Sequence, residues 1–440
     1  MENTRDWEVV NTSIYNTPVI AEVKDDKFVT FELGNYAEGE HKNSFFTHIN
    51  DCYNTSTTNK ACINSIVDHV YGKGIAIEGQ DGEPMSEGKG NTKIGKLNKI
   101  LNAKDLKKIV KDRILFGQVA IQVEYAGVGN RKKVKTLKHF PIQTLAMGKI
   151  RMGKQPSDGK DGEVNPFEPA VREYYYHPDW SKYEKKDKLT VIPAYGYGGK
   201  GTTMEIYICK PYMPGFWYFN LPDYSAGLDY AVLEKEISQY QVNDIQTGFS
   251  GTTLININRN VTDTDKRDYM VSDLKDRMGS QGDKNFIFFN RNAEESITLE
   301  RFPLNDAPNH YDYLAQECSR KLLTSHRITN PKLLAIPTPG EQGLGNNKDE
   351  ILIAAEMLKN LVINPLQMEI LDTLEEILEG NGNLGSLMFV PLEIVSEDFL
   401  NASFERQQEA WEGEAKAKNT GMDDNNKTLD QKQDKPKKNG

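Results

Sequence analysis

A chain of 440 residues is longer than one compact core usually supports, so roughly two or three domains are expected. Charged residues at 27% and aromatic residues at 9% exclude wholesale disorder, and 35 Gly with 19 Pro in no fixed period exclude a collagen-like chain. Lys+Arg at 54 against Asp+Glu at 64 leave a net charge of -10, the wrong sign for a protein that grips phosphates over its whole surface. The four cysteines, Cys52, Cys62, Cys209 and Cys318, form no Cys-x-x-Cys pair, so buried reduced thiols are expected. No apolar run approaches the roughly 20 residues that span a bilayer. The polar start MENTRDWEVV is unlike a signal peptide, so a soluble product made in the cytoplasm is expected.

Residues 1–52 carry short β-like stretches such as Phe28–Leu33. Cys62, Ile63, Ile66, Val67 and Val70 then recur at helical spacing, up to Gly72 and Gly74. Asn102 is placed to cap a second helix with the stripe Leu106, Ile109, Val110 and Ile114, and Gly117 stands where a C-terminal glycine belongs. From Gln118 the period changes to two: Val119, Ile121, Val123 and Tyr125 face one way, and Arg131–Phe140 returns as a hairpin partner. Residues 151–169 read as an exposed loop, followed by aromatic-rich β-like sequence. Residues 53–222 are therefore read as an α+β domain.

The proline-free stretch Gly227–Ser250 predicts a helix. Leu254–Ile257, Phe286–Phe289 and Ser296–Leu299 predict strands around a polar helix, Asp263–Met278. A second helix is predicted over Asn309–Arg327, acidic early and basic late, as the helix dipole prefers. The Pro/Gly-rich stretch Thr329–Lys348 must loop. A long apolar-striped helix follows over Asp349–Gly380, and Pro365 should kink it. Residues 384–411 hold one strand-like piece, Leu387–Val390, and a short helix; from Glu412 the composition predicts a disordered tail.

Catalytic motifs fail one by one. Gly196–Thr203 resembles a phosphate loop, but Lys200 is followed by Gly201 where Ser or Thr is needed, so a mobile hairpin is the simpler reading. Gly248-Phe-Ser-Gly251 closes one residue too early for a nucleophile elbow and follows a predicted helix. The seven His include no pair at i,i+4, so no metal site, catalytic residue or cofactor is expected. The basic run Arg131, Lys132, Lys133, Lys135 and Lys138 reads as a solvated edge strand guarded by lysines.

Taken together, Leu228–Ser250, Thr252–Phe302, Asn309–Arg327, Asn330–Lys348 and Asp349–Gly380 follow the order of elements of the portal (head-to-tail connector) proteins of tailed bacteriophages. The stretch Arg327–Leu334, the run Gly343–Glu350 and Asn364-Pro365-Leu366 resemble the family's helix end, its approach to the long helix and its mid-helix proline. Residues 104–140 are similar to the family's wing. The resemblance implies an α+β, portal-type subunit: an N-terminal arm or β segment (1–52), an α/β wing (53–227), a two-helix stem (228–250 and 305–328) and a small αβ clip (251–304). It further implies a tunnel loop (329–348), a long kinked wing helix (349–383), a short crown (384–411) and a tail (412–440).

The function implied is structural: a homo-oligomeric ring, usually of about twelve subunits, at one vertex of the virion capsid. Double-stranded DNA is packaged and ejected through it, and it docks the terminase motor and then the head-tail adaptors beside the major capsid protein. Assembly would take place in the host bacterial cytoplasm, with no membrane involved. The resemblance puts Pro339, Gly340, Glu341, Gln342, Gly343, Leu344, Gly345, Asn346, Asn347 and Lys348 in the DNA channel. It makes Arg320, Lys321 and Arg327 candidates for a basic ring of the stem, and Asp265, Lys266, Arg267, Asp268 and Asp273 candidates for the motor and adaptor interface. About twelve copies at -10 each sum to roughly -120, a like-charged wall past which phosphates slide. The alternatives are a nucleotide- or nucleic-acid-processing enzyme using the Gly-rich loops at 196–203 or 340–345, and another ring protein of the virion neck.

Overall fold

The computed structural model describes residues 20–34, 42–79, 81–85, 92–127, 133–151, 170–246, 253–257, 266, 268–269, 285–289, 307–334, 348–381 and 385–392. The chain opens with strands β1 (Ile20–Lys24) and β2 (Phe28–Leu33), then helices α1 (Ser44–Thr55) and α2 (Thr57–Tyr71) and strand β3 (Ile75–Ile77). Helices α3 (Thr92–Ile100) and α4 (Ala103–Phe116) lead into β4 (Val119–Ala126) and β5 (Lys133–Phe140). Strands β6 (Leu145–Gly148), β7 (Glu173–Tyr176), β8 (Thr190–Pro193) and β9 (Met204–Cys209) precede helix α5 (Leu228–Gln246). Then come β10 (Thr253–Ile257), β11 (Asn285–Phe289), α6 (Ala307–Ser325), α7 (Lys348–Leu358), a π-helical turn (Lys359–Ile363), α8 (Asn364–Leu378) and β12 (Leu387–Phe389). The class is α+β, as the sequence predicts.

The sheets are a five-stranded one ordered β1-β2-β6-β7-β8, a three-stranded one ordered β5-β4-β9, and the pairs β12-β3 and β10-β11, of which only the last is parallel. The period change at Gln118 is real. α4 ends at Gly117 with φ 72, and β4 pairs β5 from Ala120↔Phe140 to Ala126↔Lys133, with a bulge between Glu124 and Tyr125. β9 closes the other side of β4, so β5 is an edge strand of this sheet, and its lysines Lys133, Lys135 and Lys138 are exposed.

Several expectations change. Within residues 1–52, read as an N-terminal arm or β segment, β1 and β2 supply two strands of the five-stranded sheet, while Phe31, Phe45, Phe46 and Ile49 sit in the main core. Helix α1 went unread because its apolar residues Phe45, Phe46, Ile49, Cys52 and Tyr53 are diluted by Ser, Thr, Asn and His. Asn43 fixes its start: the Phe31 N–H donates to Asn43 Oδ1 (3.0 Å), and Asn43 Nδ2 donates to the Leu145 carbonyl (2.9 Å). The segment Gly196–Thr203 is no hairpin, since β8 and β9 belong to different sheets and it crosses between them. The Gly196 N–H donates to the Glu205 carboxylate at 3.0 Å.

The long segment predicted over Asp349–Gly380 is not α-helical throughout. Pro365 lies in the first turn of α8, immediately after a π turn in which the Asn364 N–H bonds back to the Lys359 carbonyl. An interior proline lacks the N–H and drives its ring against the carbonyl four residues earlier, here Leu361. A widened turn relieves that contact by letting the ladder skip one residue. The short helix expected near Trp411, the Ser296–Leu299 strand and most of Asp263–Met278 lie outside the described residues.

Candidate functional site

The region to which the sequence assigns function is built around α5 and α6. Tyr240 stacks on Tyr311 at 4.6 Å, while a Cβ placed on Gly227 would stand 2.4 Å from Ser325 Oγ. The end of α5 therefore meets the start of α6, and the base of α5 meets the end of α6, which makes an antiparallel hairpin. Described side chains are buried on it only up to Ile237 in α5 and from Cys318 in α6. Beyond them Val242, Ile245 and Tyr313 are exposed, so the hairpin carries more apolar surface than its own contacts cover.

The base of the hairpin is tied down by polar groups. Glu234 of α5 accepts hydrogen bonds from Ser56 Oγ, from Thr57 Oγ1 (2.9 Å), from Thr58 Oγ1 (2.8 Å) and from the Thr58 N–H (3.3 Å). Ser56 is the N-cap of α2, so a carboxylate from α5 sits on the free N–H groups and positive dipole end of α2. His326, just past α6, is buried, bonds Asn59 Oδ1 through Nε2 at 2.8 Å, and stacks on Tyr224 at 4.5 Å. Burial pushes its pKa down to about 3, so it is a neutral ring. Tyr224 in turn donates to the Leu115 carbonyl (2.8 Å).

Arg327 takes φ 59, the left-handed region, and closes α6: its N–H bonds Thr324 O (3.0 Å) and the Ile328 N–H bonds Leu323 O (2.9 Å). This is the Schellman ending, with arginine in the place usually held by glycine. Arg327 lines a cavity of about 150 Å³ shared with Arg113, His326, Pro365 and Glu369. It also lines a cleft of about 400 Å³ shared with Met357, Leu358, Leu361 and Val362. Arg113 is anchored there, donating to both carboxylate oxygens of Glu369 at 2.8 and 2.7 Å. Arg320 and Lys321 are exposed and both reach Glu317 within α6, which partly offsets their charge. Arg320 and Lys321 thus share Glu317, while Arg327 lies past the helix end beside the two cavities.

Of the interface candidates, Lys266 and Asp268 are exposed helical residues, while Asp265, Arg267 and Asp273 lie outside the described residues. The strands that precede and follow them in the chain pair in parallel, Thr253↔Asn285 through Ile257↔Phe289. Pro339, Gly340, Glu341, Gln342, Gly343, Leu344, Gly345, Asn346 and Asn347 also lie outside the described residues, and Lys348 is the first residue of α7. The sequence reading missed Glu234, Arg113 and Glu369, whose partners lie far away in the chain and leave no local signal.

Nucleophile chemistry finds no support in the thiols. All four cysteines are free and buried, and burial pushes Cys52, Cys62 and Cys209 up to about 12, far from the thiolate form that attacks or binds metal. Among the described residues no cluster of three or more His, Cys, Asp or Glu could hold a metal ion, and no helix is long and apolar enough to cross a membrane.

No protein-family description and no curated protein matches this chain. Among solved structures it is similar to a chain from the neck of an empty gene transfer agent particle computed with C6 symmetry, at 14% identity and TM-score 0.47, covering 82% of this chain and 87% of the other. A chain from the virion of the native particle gives 13% identity and TM-score 0.47 over 84% and 89% of the two chains. A chain from the native particle's neck computed with C12 symmetry gives 13% identity and TM-score 0.45 over 82% and 87%.

Proposed function

We propose that this chain is the repeating subunit of a portal-type ring at a capsid vertex, a structural and non-enzymatic protein through which double-stranded DNA is packaged and ejected. The observation that carries the reading is the α5–α6 hairpin. Two helices with the small β10-β11 unit between them leave the core together, are anchored at the base by Glu234 and His326, and expose Val242, Ile245 and Tyr313 farther out. Repetition around a closed ring would bury such faces in every copy and leave none over. On this reading residues 228–250 and 305–328 form the stem, and 251–304 form the clip that meets the terminase motor and the head-tail adaptors. Residues 329–348 face the DNA, with 53–227 and 349–383 as the wing beside the major capsid protein. The net charge of -10 per chain suits a wall that lets phosphates pass without holding them.

Imaging of the purified full chain tests the assembly: closed rings with a central hole are expected, and a strictly monomeric species at micromolar concentration with a two-state melt would sink the reading. Two variants test the passage and the docking. Replacing Glu341–Gly345 by a shorter Gly-Ser linker should leave rings intact while shortening or releasing the packaged DNA. Reversing Lys266 and Arg267 to Glu should leave rings intact and weaken motor docking, most clearly at low salt. Normal full-length packaging by the first variant would remove residues 329–348 from the channel.

A further inference from the structure

Among the described residues, the two halves of the long helical segment are held differently. α8 buries Leu366, Ile370, Thr373, Leu374, Ile377 and Leu378. Side chains also pin it to its surroundings: Glu369 to Arg113, Gln367 Nε2 to the Val70 carbonyl (2.8 Å), and Glu375 to the Leu387 N–H (2.7 Å). Across 351–358 of α7, only Ala354 and Leu358 are buried. The side-chain bond at its end, Asn360 to Glu356 (3.0 Å), stays inside the same helical segment.

Between the anchored and the loosely held half lies the π turn Lys359–Ile363. Leu361 is 54% exposed on that turn, although the cleft of about 400 Å³ and the cavity of about 150 Å³ are both lined by Leu361 and Val362. A turn that carries one residue more than an α-helix needs thus sits over empty volume.

We propose that residues 359–363 are a slip joint. Narrowing the π turn to α-helical winding draws α7 about 1.5 Å along its axis and turns it by about 100°, with the spare residue taken up on the N-terminal side of α7. Pro365 favours the wide form, because the narrow one returns the Leu361 carbonyl to the proline ring. The cleft supplies the space into which Leu361 swings as α7 turns, and α8 is the fixed reference. Such discrete register changes of one helical element against another are a known form of two-state motion. Any consequence for DNA passage rests on the portal reading; the slip itself does not, and the experiment reads the slip alone.

Spin labels on Ile353→Cys and Asp372→Cys, both exposed positions in a chain whose native cysteines are buried, report the turn of α7 against α8. Deleting Asn360 removes the spare residue and so leaves α7 in the one register that the wide form holds, and Pro365→Ala removes the bias against the narrow form. The expected result is a parental distance distribution with two components. The major one should coincide with the single component of the deletion variant, and the minor one should be absent from that variant and gain population in Pro365→Ala. A single parental component left unchanged by Pro365→Ala overturns the proposal. Should the deletion variant fail to fold, amide exchange in the parent decides: residues 359–364 should exchange at least about tenfold faster than 366–378, and equal protection overturns the proposal.

Discussion

Arg113 of α4 and Glu369 of α8 stand 256 positions apart in the chain and form a two-point pair at 2.8 and 2.7 Å, with the arginine side chain only 4% exposed. A buried guanidinium without its counter-charge is far costlier than the pair is stabilising. Glu369→Ala is therefore expected to lower stability by about 3 kcal/mol, while the double variant Arg113→Met/Glu369→Leu recovers most of that loss. Denaturant unfolding of the three proteins reads it. A single variant as stable as the parent would mean that the pair does not hold α4 to α8.

Gly117 couples backbone geometry to packing. It adopts φ 72 at the end of α4, and a Cβ there would stand 2.4 Å from the Leu221 carbonyl oxygen. Left-handed backbone alone costs an L-residue about 1–2 kcal/mol, and backbone cannot yield to the contact as a side-chain tip could. Gly117→Ala should cost at least about 2 kcal/mol and loosen the three-stranded sheet that begins at Val119. Thermal unfolding followed by near-UV dichroism checks it, and an unchanged midpoint would contradict the geometry.

That glycine also marks how much was legible in advance. Its helix, its turn and the switch to a two-residue period depend on neighbours along the chain, so residues 102–126 could be read directly. The same holds for α5, α6 and the proline of the long segment. Glu234 could not be read, because its five contacts lie 176–178 positions away on the first turn of α2, and no local pattern distinguishes it from a solvated helix glutamate. Pro365 announced a disturbance in the helix but not its form, since a kink and a π turn both relieve the same clash. The ending of α6 was off by two residues because an arginine, not a glycine, takes the left-handed position.

Arg327 offers a test of that ending. At φ 59 it bears the left-handed penalty that glycine escapes. Arg327→Gly and Arg327→Ala remove the same charge and nearly the same side chain, so their difference isolates the backbone. Arg327→Gly is expected to be more stable than Arg327→Ala by about 1 kcal/mol, read from paired denaturant midpoints. Equal midpoints would show that the α6 ending carries no backbone strain.

His326 gives the fold an acid sensitivity whose sign follows from burial. The folded state holds its pKa down to about 3 against the ordinary 6.5, so above pH 6.5 both folded and unfolded chains carry a neutral ring and the group contributes no pH dependence. Below that, the unfolded chain takes up a proton that the folded chain refuses, and stability falls as the pH drops from 6.5 toward 3. Each unit of that interval is worth up to about 1.4 kcal/mol, so roughly 2 kcal/mol should be lost between pH 6.5 and pH 5. His326→Gln keeps a donor for Asn59 Oδ1 and cannot titrate. Buried Asp112, whose carboxyl is held above its usual range by desolvation, titrates alike in both proteins and cancels in the comparison. The parent should therefore lose about 2 kcal/mol more than His326→Gln between those two pH values. Parallel stability curves for the two proteins would show that His326 is protonated in the fold, and the neutral Asn59–His326–Tyr224 stack at the base of the α5–α6 hairpin would have to be redrawn as a charged one.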